Sequence, residues 1–265
     1  MVEGTPARPG GVPVDGRAVD EEPEFDAEGL FDEDYLHFYD SALTEERDRE
    51  DAELVWRLLG LAPGSEVLDV ACGHGRIANR LAERGCVVTG LDSSTPFLQH
   101  ARADAAERDV HVDYVEGDMR ELPWPNRFDG VLNWFTAFGY FSDAGNRRVL
   151  TEVRQALRPG GRFALELINL VELLPRFREH AVHEVGDDLL IDHHRLDPLT
   201  MRSHAERLIV RAGRVRRIPY AIRLFTAPEL RDWLHDAGFT DVTFHGEDGE
   251  PLTRQHRRMI AVATR

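Results

Sequence analysis

The residues with the clearest chemical spacing lie between positions 66 and 76, EVLDVACGHGR. Val67, Leu68 and Val70 read as a buried strand, and Ala71, Cys72, Gly73 and Gly75 follow as a loop of small residues. Ile77 and Leu81 then open a helical pattern. A strand that hands glycines to a helix start lets a ligand approach bare backbone, where helix N–H groups point outward. Glycines there also permit tight strand-to-helix packing, so the loop alone leaves both uses open. Asp92 favours the ligand. It ends the next strand-like run, CVVTGLD, about 20 residues on, where an acid in a nucleoside-binding βαβ unit accepts hydrogen bonds from ribose hydroxyls. The dinucleotide pattern GxGxxG fails, because counting from Gly73 it needs a glycine at the position of Ala78.

Two more stretches fall where such a sheet binds its ligands. Asp118 stands just past the third strand-like run, at the carboxyl edge. Its carboxylate or the Met119 N–H can meet a base, with the Met119 side chain as apolar contact; an acid there can equally cap the next turn. After the fourth strand come Asn133, Trp134, Phe135, Phe138, Tyr140 and Phe141. Rings at that edge can line an acceptor pocket and favour a cation through their negative faces, although aromatic residues also serve as core filler.

Taken in order, these motifs resemble those of the class I S-adenosylmethionine (SAM)-dependent methyltransferases. Asp69 followed by Ala71, Gly73 and Gly75 is similar to the family's first motif, an acid and then GxGxG, with Ala71 in place of the first glycine. The resemblance implies Asp92 as the ribose acid with Ser93 beside it. It makes EGDMRELPW (116–124), with Gly117, Asp118 and Met119, the adenine side, and FDGVLNWF (128–135), with Asn133 and Phe135, the motif beside the transferring methyl. LRPGGRFALE (157–166) leads into the fifth strand, and Arg76 joins the cofactor contacts. The branch of the family that methylates amino groups of DNA bases and glutamine carries (D/N)PPY after this strand; NWFT at 133–136 departs from it. The layout also resembles bacterial natural-product enzymes that methylate sugar amines, hydroxyls or similar groups. It implies SAM as cofactor, S-adenosylhomocysteine (SAH) as product, and a small-molecule acceptor.

Composition narrows the alternatives. The 265 residues suffice for one core with a decoration, and 42% hydrophobic with 30% charged residues is the balance of a soluble globular protein. No apolar run approaches the ~20 residues that span a bilayer, and the N-terminus lacks a basic region followed by an apolar one, so a cytoplasmic protein without a membrane partner is expected. A net charge of −16 opposes nucleic-acid binding. All 32 basic residues are arginine, which excludes Schiff-base, pyridoxal and P-loop chemistry, each of which needs a lysine. Cys72 and Cys86 fall at buried positions and read as reduced and structural.

The elements that must position these groups follow from periodicity. Residues 1–24 are Gly-, Pro- and acid-rich and read as a disordered tail; 25–63 read as a helical lid carrying Tyr35, His37 and Tyr39; 64–167 as the SAM-binding core; 168–225 as an antiparallel insertion; 226–265 as the completion of the core. Strands alternating with helices demand right-handed crossovers, hence a Rossmann-like, seven-stranded, mostly parallel α/β sheet with helices on both faces. The insertion shows a helical piece at 170–177 and three strand-like runs, 188–196, 201–210 and 215–225, forming either a lid over the carboxyl edge or a homodimer surface.

Methyl transfer from a sulfonium is an in-line displacement whose main requirement is alignment. An amine acceptor only has to arrive neutral, whereas a hydroxyl wants a base. His37, His193 and His194 are the candidate bases. His193 and His194 are adjacent on a strand and point to opposite faces, which opposes joint metal ligation, so no metal is expected. Tyr35, Tyr39, Trp134, Phe138 and Tyr140 are the candidate acceptor contacts. The leading expectation is a SAM-dependent methyltransferase acting on an amine or hydroxyl of a small molecule. The competing readings are an RNA or protein methyltransferase, a nucleotide-dependent oxidoreductase, and a SAM-binding protein without catalysis. The arginines at 214, 216 and 217 read as a solvated strand face.

Overall fold

The computed structural model describes residues 25–39, 41 and 43–265; the tail read as disordered, 1–24, lies outside the described residues. Alternate residues of the first strand set the layout. In β1 (Glu66–Val70), Leu68 and Val70 enter one apolar core and Val67 the other, so helices cover both faces. The first core receives α6 (Asp143–Ala156) and α8 (Ala227–Asp236) through Val149, Leu150, Val153, Leu230 and Trp233. The second receives α3 (Glu45–Leu59), α4 (Ala78–Glu83) and α5 (Thr95–Glu107) through Val55, Leu81, Leu98 and Ala101.

The remaining strands of this sheet are β2 (Val87–Asp92), β3 (Val112–Glu116), β4 (Phe128–Asn133), β5 (Leu157–Ile168), β10 (Thr240–His245) and β11 (Arg258–Thr264). Their order is β10-β11-β5-β4-β1-β2-β3, with β1 to β5 parallel and β11 antiparallel to both its neighbours. The order reverses between β1 and β4, and the crevice above that point is where an open α/β sheet takes its ligand. β5 starts at Leu157 rather than at Arg162 as the periodicity suggests, because the Pro159-Gly160-Gly161 turn forms an irregularity within the strand, with Phe128 opposite Leu157 and Gly130 opposite Arg162.

Helix starts follow local chemistry. Thr44, Ser94, Ser142 and Thr226 each accept a backbone N–H at the start of α3, α5, α6 and α8, a contact worth about 1 kcal/mol apiece. No helix among the described residues is long and apolar enough to cross a membrane.

The insertion has four strands, not three: β6 (His180–Val185), β7 (Asp188–Asp197), β8 (Arg202–Arg211) and β9 (Arg214–Arg223), paired antiparallel in chain order. β6 escapes a periodicity search because it is an edge strand, largely exposed and rich in His and Glu. Pro219 is tolerated because β9 is the other edge. α1 (Ala27–Leu30) and α2 (Glu33–Tyr39) lie between this sheet and the core: Leu30 and Phe38 pack with Leu190, Ile209, Ile218 and Tyr220. Ion pairs join the same surfaces. Arg216 holds Asp32 and Asp34, both at 2.6 Å, and Arg211 holds Asp34 at 2.7 Å. Arg216 is thus a clasp for α2, where the arginine run had suggested only a solvated face; Arg217 keeps to the surface with Glu206.

Candidate active site

Ala71 lies at φ +58, in the left-handed region that disfavours a Cβ, which fits its place where related loops carry glycine. Gly75 has no such freedom to change: a Cβ there would lie 2.2 Å from the Tyr114 hydroxyl. The loop is locked onto β2 by Asp92, whose Oδ2 accepts the Gly73 N–H at 2.7 Å and whose Oδ1 accepts the Ser94 N–H at 2.8 Å. Burial raises the Asp92 carboxyl, against the pull of these N–H groups. Asp69, beneath the loop, is pushed up to about 7 by burial.

Above the loop are two adjoining cavities of about 200 and 100 Å³ that share Phe25, Ala27, Ala71, Asp92, Ser93 and Met119. Gly117, Asp118 and Arg120 line the outer one. Asp118 is ion-paired to Arg120; burial acts against ionisation there, but the guanidinium holds the carboxyl below its usual range. Gly73, Arg76, Trp134 and Phe135 line the inner one. Arg76 is anchored by Asp48 at 3.1 Å and Asp51 at 2.9 Å, while its Nη2 is buried and has no hydrogen-bond partner. The indole Nε1 of Trp134 is likewise unpartnered. These residues fit SAM: a carboxylate for the ribose, apolar Leu91 and Met119 for a base, and a buried guanidinium N–H able to receive the methionine carboxylate.

A larger cavity, about 510 Å³, lies between the core and the insertion. It meets the inner cofactor cavity at Phe31, Tyr35 and Phe135, which line both. Tyr35 and Tyr39 stack, with ring centroids 4.4 Å apart, and Tyr140 adds a third ring. Opposite them Arg207 and Asp192, cross-strand partners on β7 and β8, form a buried two-pronged ion pair at 2.8 and 2.9 Å, and Arg207 also donates to the Tyr39 hydroxyl at 3.2 Å.

The residues singled out by sequence divide into three groups. Ala71, Gly73, Arg76, Asp92, Ser93, Gly117, Asp118, Met119 and Phe135 line the cofactor cavities, with Trp134 beside them rather than in the acceptor space. Tyr35, Tyr39 and Tyr140 line the large cavity. Asp69, Gly75 and Asn133 lie beneath the ligand surface; Asn133 donates to the Val70 carbonyl at 3.0 Å and bridges β4 to β1. Phe138 turns into the core against Phe225 and cannot touch an acceptor; aromatic density after β4 did not distinguish rings that point in from rings that point out. Of the histidines, His193 is exposed on the outer face and His37 sits 3.0 Å from Asp188, away from the cavity. Of the three candidates His194 alone lines it, together with His183, which was not singled out; His194 has Nδ1 3.5 Å from the Ser203 hydroxyl and its protonation disfavoured by burial. Glu166, Asp192 and Arg207 were missed. The one available signal was the register of β7 on β8, which sets Asp192 and Arg207 opposite each other. No group of three His, Cys, Asp or Glu among the described residues could hold a metal.

A methyltransferase-domain family matches residues 67–161. A demethylmenaquinone methyltransferase of Thermus thermophilus is 37% identical over 123 residues, 43% of this chain and 54% of the relative, so the match spans about half of that protein. The CcbJ methyltransferase from Streptomyces caelestis superposes with a TM-score of 0.70 at 26% identity, covering 82% of this chain and 88% of that one. The sugar N-methyltransferase KedS8 from Streptoalloteichus sp. shares the fold over 98% of both chains, with a TM-score of 0.62 at 22% identity. Residues 67–161 are a methyltransferase domain, carried on the Rossmann-like fold of the SAM-dependent methyltransferases.

Proposed function

We propose that the chain transfers a methyl group from SAM to an amine or hydroxyl of a small molecule by in-line displacement. The observation that carries this is the meeting of two cavities at Phe31, Tyr35 and Phe135: the inner cavity over the glycine loop opens into a larger one roofed by the insertion. A displacement needs donor and acceptor held in line at contact distance, and two joined compartments supply that alignment. When bound, SAM supplies the electrophilic methyl; Asp92 orients its ribose, Arg76 its carboxylate, and α1 and α2 keep water from the junction. A roofed cavity of about 510 Å³ suits a small acceptor rather than a polymer strand. The net charge of −16 opposes a nucleic-acid acceptor. The similar proteins are named a sugar N-methyltransferase and a demethylmenaquinone methyltransferase, and both names point to small-molecule acceptors. Incubation with SAM and a panel of amino sugars, amines, phenols and alcohols, read out as SAH release, tests the reading. Acceptor-dependent release is expected; SAM binding without release for any of them would favour a binding protein, and methylation of RNA or protein would overturn the small-molecule assignment.

A further inference from the structure

Glu166, in the last turn-facing part of β5, is 2% exposed yet lines the large cavity. Its Oε2 accepts the Phe135 N–H at 2.5 Å and its backbone carbonyl accepts the Thr136 N–H at 3.3 Å. Phe135 and Thr136 lie at φ +62 and +57, a conformation that a β-branched residue rarely adopts. Glu166 therefore holds a strained turn where the two cavities meet. Holding one N–H does not require a carboxylate, and burying an ionised group with one oxygen unbonded is costly. The side-chain hydrogen bond to Phe135 uses Oε2 alone, and Oε1 is not among the buried atoms without a partner, as expected of an oxygen that reaches the cavity Glu166 lines. The cations around it are committed elsewhere: Arg258 of β11 pairs with Asp51 at 2.7 Å, and Arg76 with Asp48 and Asp51.

We propose that Glu166 is a catalytic residue, its free oxygen receiving an N–H of the acceptor and taking the proton, and that the acceptor is accordingly an amine. This rests on the SAM reading above. The acceptor ammonium passes one proton to Glu166, and the freed lone pair attacks the methyl carbon. The C–N bond forms as the C–S bond breaks, and sulfur keeps the electron pair. The products are SAH and a methylated ammonium, and Glu166 returns its proton to water. Burial raises the Glu166 carboxyl above its ordinary value, which makes it a better base for the first transfer. A carboxylate takes an alcohol proton only as the new C–O bond forms, whereas it can remove an ammonium proton before attack, so an amine acceptor gains most from this group.

Sinefungin, a SAM analogue with a C–NH₃⁺ group in place of S–CH₃⁺, puts an ammonium at the transfer point and requires no knowledge of the acceptor. Calorimetric titration of the full chain with sinefungin and with SAH gives the ratio of their Kd values. Wild type should prefer sinefungin about 10- to 100-fold, as for a charge-assisted hydrogen bond. Glu166→Gln should bring the two within about threefold while any loosening of the Phe135 turn moves both alike. A wild-type ratio near one, or a preference that survives Glu166→Gln, would leave Glu166 a positioning residue for Phe135 and Thr136 and overturn the proposal. Should the variant not fold, the wild-type ratio still decides, and it should shrink as pH falls. Of the charged and titratable groups around Glu166, Arg76 and Arg258 are bonded to Asp51 and Arg76 also to Asp48, and His194, whose protonation burial disfavours, lines the same cavity. Binding of neither ligand would remove the SAM reading and this one with it.

Discussion

In Asp92→Asn the side chain keeps its shape but loses its charge and one of its two accepting oxygens. The carboxylate already accepts the Gly73 and Ser94 N–H groups at 2.7 and 2.8 Å, and a ribose diol would add two donors to the same pair of oxygens. Charge-assisted hydrogen bonds of this kind are worth about 1.5–3 kcal/mol. Removing the charge should therefore weaken SAM roughly 10- to 150-fold. The effect on the unliganded fold has two parts of opposite sign. Burial raises the Asp92 carboxyl above its ordinary value, so over that window the folded state binds more protons than the unfolded one and stability falls as pH rises. At neutral pH the ionised group is a net cost that Asn removes. Asn also turns its amide toward one of those two N–H groups, so the two effects on the apoprotein oppose each other and its melting temperature should change far less than the SAM affinity that calorimetry reads. Undiminished SAM binding by the variant would refute the ribose assignment.

Other perturbations follow from the buried charges. Burial pushes Asp69 up to about 7 from an ordinary 3.8, so its favourable contribution is complete below about pH 4 and disappears as pH rises through 7. Urea melts of the apoprotein should show a flatter pH dependence between 4 and 7 in Asp69→Asn than in wild type; equal slopes would contradict this. Arg76→Leu leaves Asp48 without its cation, whereas Asp51 keeps Arg258 at 2.7 Å. A loss of about 3 kcal/mol is expected, most of it recovered in Arg76→Leu/Asp48→Leu, because the cost lies in a stranded buried charge. A double variant no more stable than the single one would place the cost elsewhere.

The sheet and the cofactor side were legible because both are local. Glycine stops, caps such as Thr226, and alternation in β1 act within a few residues, and the glycine loop and Asp92 lie on neighbouring strands of one βαβ unit. The acceptor side is assembled from α2, the turn after β4, the end of β5 and all four strands of the insertion, and no spacing along the chain announces that meeting. Glu166 reads from sequence as one more acid in LELINL, and only the turn at Phe135 and Thr136 brings it to the junction. Strand alternation did separate His193 from His194, since their opposite faces follow from the pleat, but it could not say which face the cavity would take.

A crystal structure of the protein with SAH tests the central claim most directly. The ribose hydroxyls should lie on Asp92 and the sulfur at the junction of Phe31, Tyr35 and Phe135, open to the large cavity. SAH bound elsewhere, or with its sulfur turned away from that cavity, would contradict it.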